Sequence, residues 1–230
     1  LSVQRYPTAV DVPHAAQLFP DGVVCIECSP LPEGLGLHPL EAAAVSRANA
    51  RRKREFATGR WLGRKALTQL GFPDAPLLVG PDRAPLWPLG SVGSISHTDD
   101  YCVAVVATNP PYRSLGIDAE PAIPLEESLW TSICTPTELR WLNEQPPGER
   151  GLLCHLLFVI KEAVYKYQAP ISRTLLEFHD VQVAVDRGAP GFRAVITRDG
   201  VPGFPAGGID GPALMQKMRD QAGDFGTRFI

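Results

Sequence analysis

The sequence predicts an α/β protein of the α+β kind: two pseudo-symmetric half-domains, each a small sheet packed with helices, with the active site in the cleft between them. Three observations lead there. Short apolar strand patterns and longer helical patterns occur in both halves of the 230 residues, so each half can build its own two-layer core. Hydrophobic residues make up 44% and charged residues 20%, a globular rather than a disordered balance. A break at NPPYR, residues 109–113, divides the chain into an expected N-terminal half at 1–110 and a C-terminal half at 111–230.

In the first half, VVCIE reads as a strand among proline and glycine. The strongest helical signal runs from about Pro39 to Leu70, through LEAAAVSRANARRKREFATGRWLGRKALTQL, and stops at Gly71 with Pro73 beyond it. Gly59 and Gly63 inside it mark either a break or a close approach of another backbone. GPDRAPLWPLG is an extended, proline-punctuated segment. In SVGSISHTDDYCVAVVATN, Ser96 and His97 are expected in a loop, and the nearly continuous apolar YCVAVVA is a strand covered on both faces.

The second half opens with an expected strand, SLGIDAE. Thr135, Pro136 and Glu138 form a capping box at the start of TPTELRWLNE. In GLLCHLLFVIKEAVYKYQ, apolar residues at 153, 156, 157, 160, 163, 164 and 167 mark the buried face of a longer helix. VQVAV and FRAVI suggest two strands around DRGAPG, and the last thirty residues turn glycine-rich.

Charge and cysteines exclude several classes. The net charge is −3 and the pI about 6.0, so the molecule as a whole is no polyanion binder and no nucleic-acid partner is expected. The basic residues nevertheless cluster, with Arg47, Arg51, Arg52, Lys53, Arg54, Arg60, Arg64 and Lys65 inside nineteen positions. Five scattered cysteines do not form a secreted disulfide framework, and Cys25 and Cys28 lack the second pair of a zinc site, so both read as strand cysteines. No run of eighteen apolar residues and no export signal is visible, so a cytoplasmic protein with no membrane partner is expected.

Asp118 and Glu120, two apart in an extended segment, point the same way. Two carboxylates that close need a cation, and a hard ion such as Mg²⁺ takes oxygen ligands and leaves positions for phosphate. Alone, the pair is better explained by a strand ending at the surface. A third carboxylate is available in Glu162, four residues before Lys166 on one helical face with His155, where the bland reading is a solvated ion pair. Lys53, Arg60 and Arg64 line one side of the long helix and suit a compact phosphate ligand, while Ser96 and His97 can converge on an anion.

In their order along the chain, RRKREFATGRWLGRKAL, DRAPLWPLGSVGSISHTDDYCVAVVA, LGIDAEP and FVIKEAVYK resemble the 4'-phosphopantetheinyl transferase family in its long, single-chain type. The most specific part is GID-x-E, followed by a KEA-x-x-K helix whose Glu162 lies forty-two residues after the first glutamate, and preceded by the SxSH loop. The resemblance implies transfer of phosphopantetheine from coenzyme A to a serine of an apo acyl or peptidyl carrier protein, releasing adenosine 3',5'-bisphosphate, by a monomer whose two halves mimic a dimer. It implies that Asp118, Glu120 and Glu162 hold Mg²⁺, with Mn²⁺ as a substitute. Glu162 would also be the general base and Lys166 would stabilise the diphosphate. Ser96 and His97 would contact the coenzyme A phosphates, Lys53, Arg60 and Arg64 the 3'-phosphate end, and Arg83 and Pro85 the adenine. Lys161 is a weaker cofactor contact, since it faces another side of the helix than Glu162.

The chain departs from this pattern after residue 200, where the usual closing strands are not recognisable, and the second GID at Gly208–Asp210 reads as loop. Two rival functions remain: a metal-dependent phosphoesterase using the same carboxylates, and a non-catalytic module that binds phosphate or nucleic acid through the basic helix.

Overall fold

The structure is a computed structural model that describes residues 15–32, 36–186, 191–204, 208–212 and 228–229. It divides into two compact units, Leu1–Leu115 and Gly116–Ile230. Both are mixed α and β, with small antiparallel sheets against helices.

In the first unit a three-stranded sheet runs in the order β1 (Val23–Cys28), β3 (Cys102–Thr108), β2 (Ser91–His97), with both pairings antiparallel. The unbroken apolar run of β3 explains its central place, because a strand paired on both edges and covered on both faces exposes nothing to water. The expected long helix is divided. A single turn, α1 (Pro39–Ala42), is capped by His38 and Glu41 and passes through a 3₁₀ turn, and α2 (Ala50–Gln69) starts afresh where the Asn49 side chain accepts from Arg52 N. Helix α2 lies across the sheet and buries Leu62, Ala66 and Leu67 against Val106, Ala104 and Cys102. Its two glycines admit close neighbours rather than a break: a Cβ on Gly59 would stand 2.7 Å from Ile95, and one on Gly63 2.7 Å from Leu77. The helix ends at Leu70, and Gly71 takes the left-handed φ of +86° that a side chain disfavours.

Cys25 and Cys28 are three apart on β1 and so face opposite sides of the sheet. Burial pushes their thiols up to about 12 and about 11, which leaves them protonated and inert.

The second unit is built around α5 (Arg150–Ser172), with α3 (Glu127–Ile133) and α4 (Pro136–Asn143) against it and a three-stranded antiparallel sheet, β5 (Val181–Asp186), β6 (Gly191–Ile196), β7 (Gly208–Pro212). Leu153, Leu156, Leu157, Ile160 and Val164 of α5 join Leu142, Val181, Val183 and Ala194 in one core. The expected strand SLGIDAE is mostly not one. Only β4 (Glu120–Pro121) pairs, with β8 (Arg228–Phe229), and residues 115–119 are extended without ladder partners. The second GID lies in β7 rather than in a loop, while residues 187–190 of DRGAPG fall outside the described residues.

One buried polar node ties this unit together. Glu138 completes the capping box with Thr135, its Oε1 accepts Val183 N at 2.7 Å, and its Oε2 accepts both Thr135 N and Lys161 Nζ at 2.7 Å. Lys161 Nζ also donates to Ile133 O at 2.8 Å and Phe178 O at 2.9 Å, so all three of its protons are used. Removing one partner leaves a buried charge uncompensated. Lys161→Met is therefore expected to lower unfolding free energy by about 3–5 kcal/mol, read by urea denaturation.

Candidate functional site

The acidic group assembles in the second unit from the extended segment and α5. Asp118 is buried, Glu120 and Glu162 are half-buried, and Lys166 Nζ donates to Asp118 Oδ1 at 2.7 Å and to Ile117 O at 3.2 Å. Each carboxylate feels the others. Burial raises the Glu120 carboxyl above its ordinary range and the charges of Asp118 and Glu162 push it further, while Lys166 opposes them. Burial, then Asp118, does the same to Glu162.

Burial and like charge both oppose ionisation of the two glutamates, and the ammonium of Lys166 offsets part of that cost. The donor set is all carboxylate oxygen, which suits a hard divalent ion better than a soft one. Among the described residues no three His, Cys, Asp or Glu side chains stand close enough together to hold an ion as placed, and the ammonium of Lys166 sits on Asp118 where an ion would compete.

The fourth candidate on that helical face, His155, is turned to structure instead. It is buried, and its Nδ1–H donates to Ile123 O at 2.6 Å. Lys161 requires a correction as a cofactor contact: it is buried, and with its three protons already spent it has none for a phosphate.

The basic group lies in the first unit. Arg60 is buried with its guanidinium 4.6 Å over the Phe56 ring and its Nε without a hydrogen-bond partner. Burial lowers its pKa to about 10, Glu41 opposes that, and the nearby charges of Arg52 and Arg64 add to it. A buried donor left without an acceptor carries an uncompensated desolvation cost. Arg64 is engaged already, donating from Nη1 to Glu41 at 2.5 and 2.6 Å and from Nη2 to Gly36 O at 2.6 Å, and Glu41 also holds Leu77 N. Its first role is to tie α1 and the following loop to α2.

Arg52 escaped the sequence reading, which favoured Lys53. Arg52 Nη1 donates to His97 Nε2 at 2.8 Å, which places the imidazole proton on Nδ1, 3.7 Å from Glu55 Oε2. Spacing gives no preference for it: Lys53, seven residues before Arg60, lies closer to the Arg60 and Arg64 face, and Arg52 is marked out only by its contact with His97, forty-five residues away. Lys53 is half-buried, and none of the charges acting on Arg60 comes from it.

Ser96 and His97 are the last two residues of β2, not a loop, because the turn begins only at Thr98, whose N–H donates to Tyr101 O at 2.7 Å. Ser96 is buried and pairs with Val103, and His97 pairs with Cys102. Arg83 is exposed at the tip of a turn with φ +68°, and Pro85 is half-buried in a bridge to Val79.

The raised carboxyls make a signed prediction. An acid whose folded pKa lies above its unfolded value binds more protons folded, so the metal-free chain loses stability as pH rises from the ordinary carboxylate range through the folded values. Removing one charge relieves this. In chelator at neutral pH, Glu162→Gln is expected to melt at a higher temperature than the unaltered chain, with the difference vanishing toward pH 4 in a thermal melt.

With this geometry in place, comparison with known proteins is informative. Residues 40–107 match the 4'-phosphopantetheinyl transferase N-terminal domain, and residues 114–202 the 4'-phosphopantetheinyl transferase superfamily. The chain is 37% identical over 169 residues to 4'-phosphopantetheinyl transferase Npt of Nocardia iowensis, covering 74% of this chain and 75% of that protein. It is 41% identical over 178 residues to 4'-phosphopantetheinyl transferase Svp of Streptomyces mobaraensis, covering 76% and 71%. With 4'-phosphopantetheinyl transferase PptT of Mycobacterium tuberculosis it shares 38% over 161 residues, 70% of each chain. Family matches in both units and identities of 37% and 41% over about three quarters of the chain agree: the chain belongs to the 4'-phosphopantetheinyl transferase superfamily.

Proposed function

We propose that the chain transfers the 4'-phosphopantetheine group from coenzyme A to the serine hydroxyl of an apo acyl or peptidyl carrier protein, leaving adenosine 3',5'-bisphosphate. The observation that carries this is the ion pair of Lys166 with Asp118 at 2.7 Å, with Glu120 and Glu162 near enough for both to feel the Asp118 and Lys166 charges. Such a group is explained by a cation and a diphosphate, and not by fold stability, which it lowers.

Asp118, Glu120 and Glu162 would hold Mg²⁺, or Mn²⁺ in its place, and the ion supplies charge neutralisation on the diphosphate when bound. Lys166, held beside Asp118, would offer its ammonium to a diphosphate oxygen and stabilise the charge that grows on the departing phosphate. Glu162, its carboxyl raised by burial, accepts the serine proton as the hydroxyl oxygen bonds to phosphorus. The phosphorus–oxygen bond to the adenosine bisphosphate breaks in the same displacement.

The first unit serves the other end of coenzyme A. Arg60 offers its buried Nε to a phosphate, with Arg52 and His97 joined beside it, and Ser96, Lys53 and Arg64 contribute through backbone and long-range charge. Arg83 and Pro85 border the adenine. On this reading the N-terminal half binds coenzyme A and the C-terminal half holds the ion and the catalytic groups.

The protein would act as a cytoplasmic monomer. Its cysteines are all unpaired, as in a reducing compartment, and among the described residues no helix is long and apolar enough to cross a membrane. A phosphoesterase with the same carboxylates is disfavoured by His155, whose ring is bound to a backbone carbonyl.

Incubating the protein with coenzyme A, Mg²⁺ and an apo carrier protein, then weighing the carrier by mass spectrometry, tests the proposal. A phosphopantetheine adduct is expected, and Glu162→Gln should lower its rate of formation by at least about 100-fold with the circular dichroism unchanged. Absence of an adduct on acyl and peptidyl carriers alike would overturn it.

A further inference from the structure

Gly116 opens the GIDAE segment and lies directly on α5. A Cβ added there would meet Ala163 O at 2.1 Å and both the Cβ and the backbone N of Tyr167 at 2.9 Å. This differs from the tight glycines of α2. Gly59 and Gly63 face the ends of side chains that can turn aside, whereas Gly116 faces helix backbone.

The helix cannot give way either. Lys161, two residues before Ala163, is anchored by three hydrogen bonds, and Leu157 and Val164 are buried in the core. A side chain at 116 must therefore lift the segment by about 1 Å or more to restore an ordinary contact.

The segment so held carries the site. Ala163 and Tyr167 each follow one of the functional residues of α5, Glu162 and Lys166, so Gly116 rests in the groove beside them. Two residues on, Asp118 accepts from Lys166 at 2.7 Å, and Lys166 also reaches Ile117 O at 3.2 Å. We infer that Gly116 is a positioning residue: by letting backbone rest on backbone, it sets the separation of Asp118 and Glu120 from Glu162, and so the fit of the three carboxylates to one small divalent cation.

The inference rests on the metal reading above, and its chemistry is demanding. Mg²⁺ requires near-ideal octahedral geometry at about 2.0–2.1 Å, and since the carboxylates must close in to reach an ion, lifting one side by about 1 Å adds to the gap they have to cross.

The test uses the full chain and Mn²⁺ as the probe, titrated by electron paramagnetic resonance, with melting temperature recorded for each variant. Gly116→Ala is expected to bind Mn²⁺ at least ten-fold more weakly while remaining folded. Gly148→Ala, where an added Cβ meets nothing within 4 Å, should bind as the unaltered chain does. Lengthening the reach across the widened gap should compensate, so Gly116→Ala combined with Asp118→Glu should recover part of the lost affinity, although Asp118→Glu alone weakens binding. A glycine needed only for stability would not respond to Asp118→Glu in this way.

Gly116→Ala binding Mn²⁺ like the unaltered chain, a Gly116→Ala chain that fails to fold, or a double variant no better than Gly116→Ala would each overturn the inference. Failure of the unaltered chain to bind Mn²⁺ at all would overturn the metal reading and this inference with it.

Discussion

Repulsion among three carboxylates is the constraint on which the second unit depends. Burial raises the cost of ionising Glu120 and Glu162, and the charge of Asp118 adds to it. A chain gains nothing in stability by gathering them, so the gathering has to be imposed. Gly116 lays the extended segment on α5, Lys161 and Glu138 fix α5 against α4 and β5, and Lys166 lends its charge to Asp118. Each device sacrifices something local for a shared location, which is the usual mark of a site built for a ligand.

The first unit shows the complementary arrangement with the opposite charge. Helix α2 buries one side against the central strand β3 and carries arginines where the sheet leaves room. Arg64 is neutralised by Glu41, which anchors the loop, while Arg60 is buried over an aromatic ring with a donor to spare. Two arginines one turn apart thus differ, one paired with a carboxylate and one with a buried donor left without a partner. The distinction follows from the acidic partner that α1 brings to Arg64 alone.

Much of this was legible in the letters. The capping box of Thr135 and Glu138, the apolar stripe of α5, the central strand and the terminus at Gly71 all follow from local chemistry and periodicity. What stayed hidden depends on partners distant in sequence. Glu138 and Lys161 are twenty-three residues apart, and nothing in either neighbourhood shows that they meet. Arg64 looked like a phosphate ligand because Glu41 is likewise distant. Arg52 was not singled out, because its partner His97 lies forty-five residues away. The GIDAE segment was read as a strand because its residues alternate, yet its neighbour is a helix, and alternation cannot tell a sheet from a helix face as support.

The central claim is that the carboxylate group and coenzyme A share one ion. Electron–nuclear double resonance at ³¹P, on protein loaded with Mn²⁺ and coenzyme A, tests that claim most directly, since the coupling appears only when phosphate oxygen is bound to the metal. The account predicts a strong ³¹P coupling from the diphosphate that disappears in Asp118→Asn. A Mn²⁺ spectrum with water protons alone, or a ³¹P coupling that persists in Asp118→Asn, would contradict it.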